Sequence, residues 1–244
     1  MRSVTLDGPS VSNAVWILYE GEFPNCCGDF SYSSPSPAFA YVADGTGHNF
    51  QGEYQLTRAK MAKAWDSFNQ DLKSQSSDNI DDLEALFVDR IKQLSNDFEN
   101  IGKSSTLSFA WFVDTPQGSE LSSINLGDSA IFLRRSDTWV HVQGHNDDTS
   151  DYELPYDTYH LCPKIIKNPI SENDVAIGIT DGVIEALSGF KAPILDISDK
   201  LNEVIGDAKT ADEIKDRLFE YTKAHIPDEN PDDSKLFCLS LDRT

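Results

Sequence analysis

Four aspartates, Asp29, Asp44, Asp181 and Asp232, each lie at the edge of an apolar, strand-like run. Asp44 and Asp181 also open Asp-Gly steps, within Phe39-Ala40-Tyr41-Val42-Ala43-Asp44-Gly45 and Val175-Ala176-Ile177-Gly178-Ile179-Thr180-Asp181-Gly182. Each stretch reads as a buried strand that delivers a carboxylate to a sharp turn. Mg²⁺ and Mn²⁺ take oxygen ligands in octahedral geometry, and carboxylates gathered from distant parts of a chain supply both the charge and the shape. A single Asp-Gly step is an ordinary turn signal, so the inference rests on the combination. Neither a Ser-His-Asp arrangement nor a His-Glu-x-x-His motif offers a competing chemistry.

The elements that must position these groups follow from periodicity. Residues 11–19 predict a first strand, and residues 30–43, interrupted by Ser33-Ser34-Pro35-Ser36-Pro37, predict a hairpin that ends at Asp44. Leu56, Ala59, Trp65, Phe68 and Leu72 recur at helical spacing across 52–73. A second helix over 81–100 carries a stripe of Leu83, Phe87, Leu94 and Phe98, which is core contact. Strands are predicted over 106–113, 120–126, 130–135 and 138–142, and their short connections imply an antiparallel meander. Residues 143–172 are polar and without period, as a long loop or lid would be. A strand over 175–180, helices near 194–205 and 211–224, and a last strand over 236–241 complete the pattern. It predicts α+β layering in a single domain, 1–244.

Bulk properties narrow the function. The 244 residues include 20 basic and 41 acidic side chains, a net charge of −21 that repels nucleic acid and anionic lipid. Bound cations suit such a field. Hydrophobic content of 39% with 10% aromatics suffices for a large core. The N-terminal residues lack the basic start and apolar stretch of a secretory signal, and no run approaches the ~18 apolar residues of a membrane span. Cys26, Cys27, Cys162 and Cys238 contain no Cys-x-x-Cys spacing. A cytoplasmic, monomeric protein with reduced thiols and no nucleic-acid or membrane partner is the expectation.

Four motifs in order resemble the metal-dependent type 2C protein serine/threonine phosphatases. Val42-Ala43-Asp44-Gly45-Thr46-Gly47-His48-Asn49-Phe50-Gln51-Gly52-Glu53 is similar to the family's Asp-Gly-x-Gly-Gly motif and the Gly-Glu that opens its next helix. Asn125-Leu126-Gly127-Asp128-Ser129-Ala130 resembles its Asn-x-Gly-Asp-Ser-Arg turn, with Gly102-Lys103-Ser104-Ser105-Thr106 standing before it. Ile179-Thr180-Asp181-Gly182-Val183-Ile184-Glu185-Ala186-Leu187-Ser188 is similar to Ala-Thr-Asp-Gly-x-Trp-Asp-x-Leu-Ser, and Pro231-Asp232-Asp233-Ser234-Lys235 takes the place of the terminal Asp-Asn-x-Thr. The matches span roughly residues 25–242.

The resemblance implies a four-layer αββα sandwich, two central antiparallel β-sheets flanked by helices. It also implies hydrolysis of phosphoserine or phosphothreonine in a phosphoprotein substrate by a water bridging two Mn²⁺ or Mg²⁺ ions. Carried over by position, Asp44 bridges the ions and the Gly45 carbonyl adds a ligand. Asp29 serves one ion, Asp181 and Asp232 the other, and Asp128 with Asp181 marks a third-metal position.

Departures from the pattern are specific. Relatives carry an Arg shortly before the first acidic ligand, whereas residues 11–28 here contain neither Arg nor Lys. Phosphate recognition then falls to the metals or to a basic residue from elsewhere, such as Arg2 or Arg58. Thr46 stands where some relatives place a His, and His48 is the nearby candidate general acid. Glu185 replaces the usual Asp late in the third motif, a longer carboxylate that still suits a metal-bound water. The rival reading is a catalytically weak scaffold or regulatory binding module that keeps the fold. An acidic calcium protein is a poorer fit, because His145-Asn146-Asp147-Asp148-Thr149-Ser150-Asp151-Tyr152-Glu153 lacks the central Gly and Asp spacing of a helical calcium loop.

Overall fold

The computed structural model describes residues 10–19, 29–35, 38–45, 53–74, 80–144, 153–156, 163–188, 194–225 and 234–242. Alternation along the strands explains the architecture. In β3 (Ala38–Ala43), Phe39, Tyr41 and Ala43 belong to one apolar cluster, while Ala40 and Val42 belong to another on the opposite face. A strand buried on both faces must lie between two layers, and each layer can be named.

One sheet has the order β2-β3-β4-β5-β8, using β2 (Phe30–Pro35), β4 (Leu107–Thr115), β5 (Gly118–Leu126) and β8 (Ile166–Pro169). The other has the order β1-β10-β9-β6-β7, using β1 (Ser10–Tyr19), β6 (Ala130–Arg135), β7 (Thr138–Gly144), β9 (Val175–Ile179) and β10 (Ser234–Asp242). Among the described residues every strand pairing is antiparallel.

Helices α1 (Glu53–Ser74) and α2 (Ile80–Ile101) cover the outer face of the first sheet. Leu83, Phe87, Ile91, Leu94 and Phe98 recur every three or four residues on α2 and are all buried. Rings dominate this layer. Tyr41 stacks on Trp65 at 4.9 Å between centroids, and Phe87 meets Phe109 and Trp111 edge-on at 5.0 Å each. The buried Tyr41 hydroxyl donates to Asn69 Oδ1 at 3.0 Å, and burial pushes its pKa upward.

Helices α3 (Asp181–Ser188), α4 (Ile194–Ile205) and α5 (Ala211–His225) cover the second sheet, packing Ile197, Leu201, Ile214 and Leu218 against Phe132, Ile177, Ile179 and Leu236. The start of α5 is a capping box: Glu213 N–H donates to Thr210 Oγ1, and Thr210 N–H donates to Glu213 Oε2, both at 3.2 Å. The Lys209 and Thr210 N–H groups hold the Glu213 carboxyl below the usual carboxylate range. Between the sheets lies a thinner layer that includes Ala40, Val42, Ala110, Ile131, Ala176, Phe237 and Leu239. The molecule is thus two antiparallel sheets face to face with helices on both outer sides, as the motif resemblance implies.

Three local expectations change. The strands over 106–142 do not form one meander: β4 and β5 pair in the first sheet, β6 and β7 in the second. The cause is the four-residue stretch from Leu126 to Ser129, in which Gly127 takes a φ of 90° and turns the chain from one sheet to the other. Asp181 begins a helix rather than a simple turn, since Val183 and Ile184 donate their N–H groups to the Thr180 carbonyl. Within the stretch expected as loop, Ile166–Pro169 adds an edge strand beside β5, and Leu154 bridges to Ser105.

The inter-sheet layer is tight at Gly178, where an added Cβ would run into the Phe237 ring. Gly178→Ala is expected to lower stability by about 1–3 kcal/mol through overpacking, seen as a lower urea midpoint at unchanged slope. An unchanged midpoint would contradict this placement of the ring.

Candidate metal centre

The strands deliver their ends to one edge of the sandwich. Asp44 follows β3 and is 9% exposed, and its main chain is fastened to the start of β4. Its N–H donates to Thr106 Oγ1 at 2.9 Å, and its carbonyl accepts from Thr106 N–H at 2.8 Å and from the Ser105 hydroxyl at 2.6 Å. Gly45 extends this pairing through a bridge with Ser105.

Asp128 sits in the turn that crosses between the sheets. Thr106 Oγ1 and Ser129 Oγ share a hydrogen bond of 2.7 Å, so one threonine hydroxyl contacts both the Asp44 backbone and the residue after Asp128. The turn is fixed from below by Asn125, whose Nδ2 donates to the Gly127 carbonyl at 2.7 Å and whose Oδ1 accepts from the Ser108 hydroxyl. A Cβ on Gly127 would come within 2.7 Å of Thr106 Cγ2, so glycine is required by space as well as by φ.

Asp181 follows β9 as the first residue of α3, and its Oδ1 accepts the Gly182 N–H at 2.9 Å. Thr180 ties it to β10: Thr180 N–H donates to the Lys235 carbonyl at 3.2 Å, and Lys235 N–H donates to Thr180 Oγ1 at 3.0 Å.

These three supports bring Asp44, Asp128 and Asp181 together, with one carboxylate oxygen of each within 4.8 Å of the others. Like charges about 4 Å apart repel by on the order of 4 kcal/mol per pair at an effective dielectric of ~20. A divalent cation converts that repulsion into attraction, and an all-oxygen donor set drawn from both sheets fits a hard ion such as Mg²⁺ or Mn²⁺. The residues present therefore fit such an ion.

The remaining candidates distribute differently. Asp29 is 2% exposed and precedes the Phe30–Ala43 pair, which places it opposite Asp44 across the hairpin, but it is not one of the three converging carboxylates. Asp128, assigned by resemblance to a third position with Asp181, lies within reach of Asp44 as well. Glu185 is one turn along α3 from Asp181 and on the same helical face. Asp232, His48 and Arg2 lie outside the described residues. Arg58 is half-buried on α1. In the sequence, Ser108 stands outside every motif, and Ser105, Thr106, Asn125 and Ser129 enter only as letters of motifs, whereas the fold makes all five supports of the site. Their signal was available: small polar residues inside or beside runs otherwise made of apolar strand formers.

No protein-family model matches the sequence, and no curated protein matches it. Solved structures do match in shape. The serine/threonine phosphatase PstP/Ppp of Mycobacterium tuberculosis superposes with a TM-score of 0.65 at 15% identity, over 95% of this chain and 99% of that one. The catalytic domain of PstP in complex with two manganese ions gives 0.66 at 15% identity, over 95% and 98%. The phosphatase domain of SpoIIE from Bacillus subtilis, with a fragment of its regulatory domain, gives 0.65 at 17% identity, over 96% and 64%. At these identities what is shared is the fold, and the chain has the fold of the type 2C serine/threonine phosphatases.

Proposed function

We propose that this protein is a Mn²⁺- or Mg²⁺-dependent phosphatase that hydrolyses phosphoserine or phosphothreonine in proteins. The observation that carries the proposal is the convergence of Asp44, Asp128 and Asp181 at one edge of this fold. The two manganese ions of the PstP catalytic domain support it. Asp44, at the end of β3, would serve both ions, with Asp29 and the Gly45 carbonyl as further ligands of one and Asp181 and Asp232 as ligands of the other. A pair of such ions would activate a water for in-line attack and neutralise charge on the phosphoryl oxygens.

The chain's own residues orient and hold. Short aspartate side chains on strand ends fix donor positions, and the Thr106 hydroxyl ties the Asp44 N–H to the Ser129 hydroxyl beside Asp128. His48 is assigned the proton that the departing seryl or threonyl oxygen requires. A non-catalytic scaffold is the second reading, favoured by the lack of Arg and Lys across residues 11–28. A fold kept only for binding has no need to hold repelling carboxylates together.

Hydrolysis of p-nitrophenyl phosphate is expected with Mn²⁺ and is expected to vanish with a chelator. Asp44→Asn and Asp181→Asn are each expected to reduce turnover by at least ~10²-fold while leaving the far-ultraviolet circular dichroism unchanged. Metal-independent turnover, or full activity of the Asp44 variant, would sink the mechanism. A folded, inert wild type that still binds phosphoproteins would establish the scaffold. Thr106→Val leaves a buried N–H and hydroxyl without their partner and is expected to cost about 1–3 kcal/mol. It should also weaken Mn²⁺ binding measured by calorimetry, and loss of stability with unaltered Mn²⁺ affinity would separate this hydroxyl from the site.

A further inference from the structure

β10 carries a cation in an unusual place. Leu236 and Cys238 belong to the cluster under the helices, while Phe237 and Leu239 belong to the layer between the sheets. By the period of two, Lys235 shares the inter-sheet face with Phe237 and Leu239. Lys235 is only 7% exposed. Lysine is almost never this buried unless an opposite charge is present or arrives.

Its neighbours are those of the carboxylate edge. Leu236 pairs with Ile179, and Ile179 pairs with Ala130, so the next row across the second sheet is Lys235, Thr180 and Ser129. Asp181 follows Thr180 and Asp128 precedes Ser129. Two hydrogen bonds between Lys235 and Thr180 hold this row together, one strand spacing, about 4.8 Å, apart. In the facing sheet, Val42 lies on the inter-sheet face, and Asp44 continues that face by the same alternation. Lys235 is therefore on the inner face of the row that the carboxylates flank. Among the described residues it forms no ion pair, although Asp44, Asp128 and Asp181 lie at the same edge.

We propose that Lys235 binds the phosphoryl group of the substrate at the carboxylate edge, the role that no basic residue of 11–28 can take. This inference rests on the phosphatase reading above. The side chain is anchored in the strand next to Asp181, so its charge is placed by the sheet rather than by a loop. A cation on this face would offset, locally, the repulsion that a net charge of −21 exerts on an anionic substrate.

The test uses the full chain loaded with Mn²⁺ and titrated with inorganic phosphate by calorimetry, together with kcat and KM for p-nitrophenyl phosphate and a separate Mn²⁺ titration. Lys235→Met and Lys235→Thr are expected to weaken phosphate binding and raise KM by about tenfold or more, the scale of one charge-assisted hydrogen bond. Mn²⁺ affinity should stay within a few-fold, and Lys235→Arg should recover most of the phosphate affinity. Thr tolerates a strand interior, so at least one neutral variant that folds is available.

If a neutral variant binds phosphate as the wild type does, the proposal is overturned. It is equally overturned if the substitution leaves phosphate affinity alone but tightens Mn²⁺ binding, because Lys235 would then be an internal counter-ion for the aspartates. A wild type that takes up Mn²⁺ and binds phosphate through Lys235 without turnover would defeat the phosphatase reading and leave this assignment standing. The two can therefore fail separately.

Discussion

The hydroxyl of Thr106 is the point on which the carboxylate edge depends. It accepts the N–H of Asp44 at the end of one sheet and shares a hydrogen bond with Ser129 at the start of a strand in the other. Apolar packing brings two sheets together without specifying their relative position to a fraction of an ångström, because it is non-directional. Hydrogen bonds do specify it, and a buried one that loses its partner costs far more than it contributes when made. Asp44 and Asp128 arise 84 residues apart in sequence, yet this single side chain joins the Asp44 N–H to the hydroxyl of the residue after Asp128.

That constraint explains the distribution of glycine and small polar residues around it. The crossing turn must pass close over Thr106, which leaves room only for the backbone at Gly127. Asn125 then satisfies the carbonyl of that turn, and Ser108 orients Asn125 from the neighbouring strand. The result is a polar seam at one end of an otherwise apolar inter-sheet layer. Its members are fully or nearly fully buried, so each has to find its partner within the protein.

Much of this was legible from residue order and some of it was not. Periodicity located α1, α2, α4, α5 and most strands, because each buries one or two faces with an unambiguous repeat. Assignment of strands to sheets was not local information: β5 and β6 are separated by a turn as short as a hairpin loop, and only the conformation of Gly127 and the partner of Ser129 send them apart. The short α3 was hidden because Asp-Gly is a stronger turn signal than eight residues can be a helical one. The aspartates were visible as types and positions, but their convergence depends on contacts across the sandwich that no spacing along the chain encodes. Lys235 was overlooked for a related reason. It enters the sequence only as the last letter of a motif, and the pleat of β10 is what turns it inward.

Asp181 is both the last carboxylate to reach the edge and the first residue of α3, where its own Oδ1 receives the N–H of Gly182. One side chain thus belongs to two rigid bodies at once. Any pull on it by a bound cation is also a pull on the first turn of a helix, and that helix packs directly against α4 and α5 on the outer surface. Occupancy of the edge by a cation would therefore bear on a helix start that is itself held between two other helices.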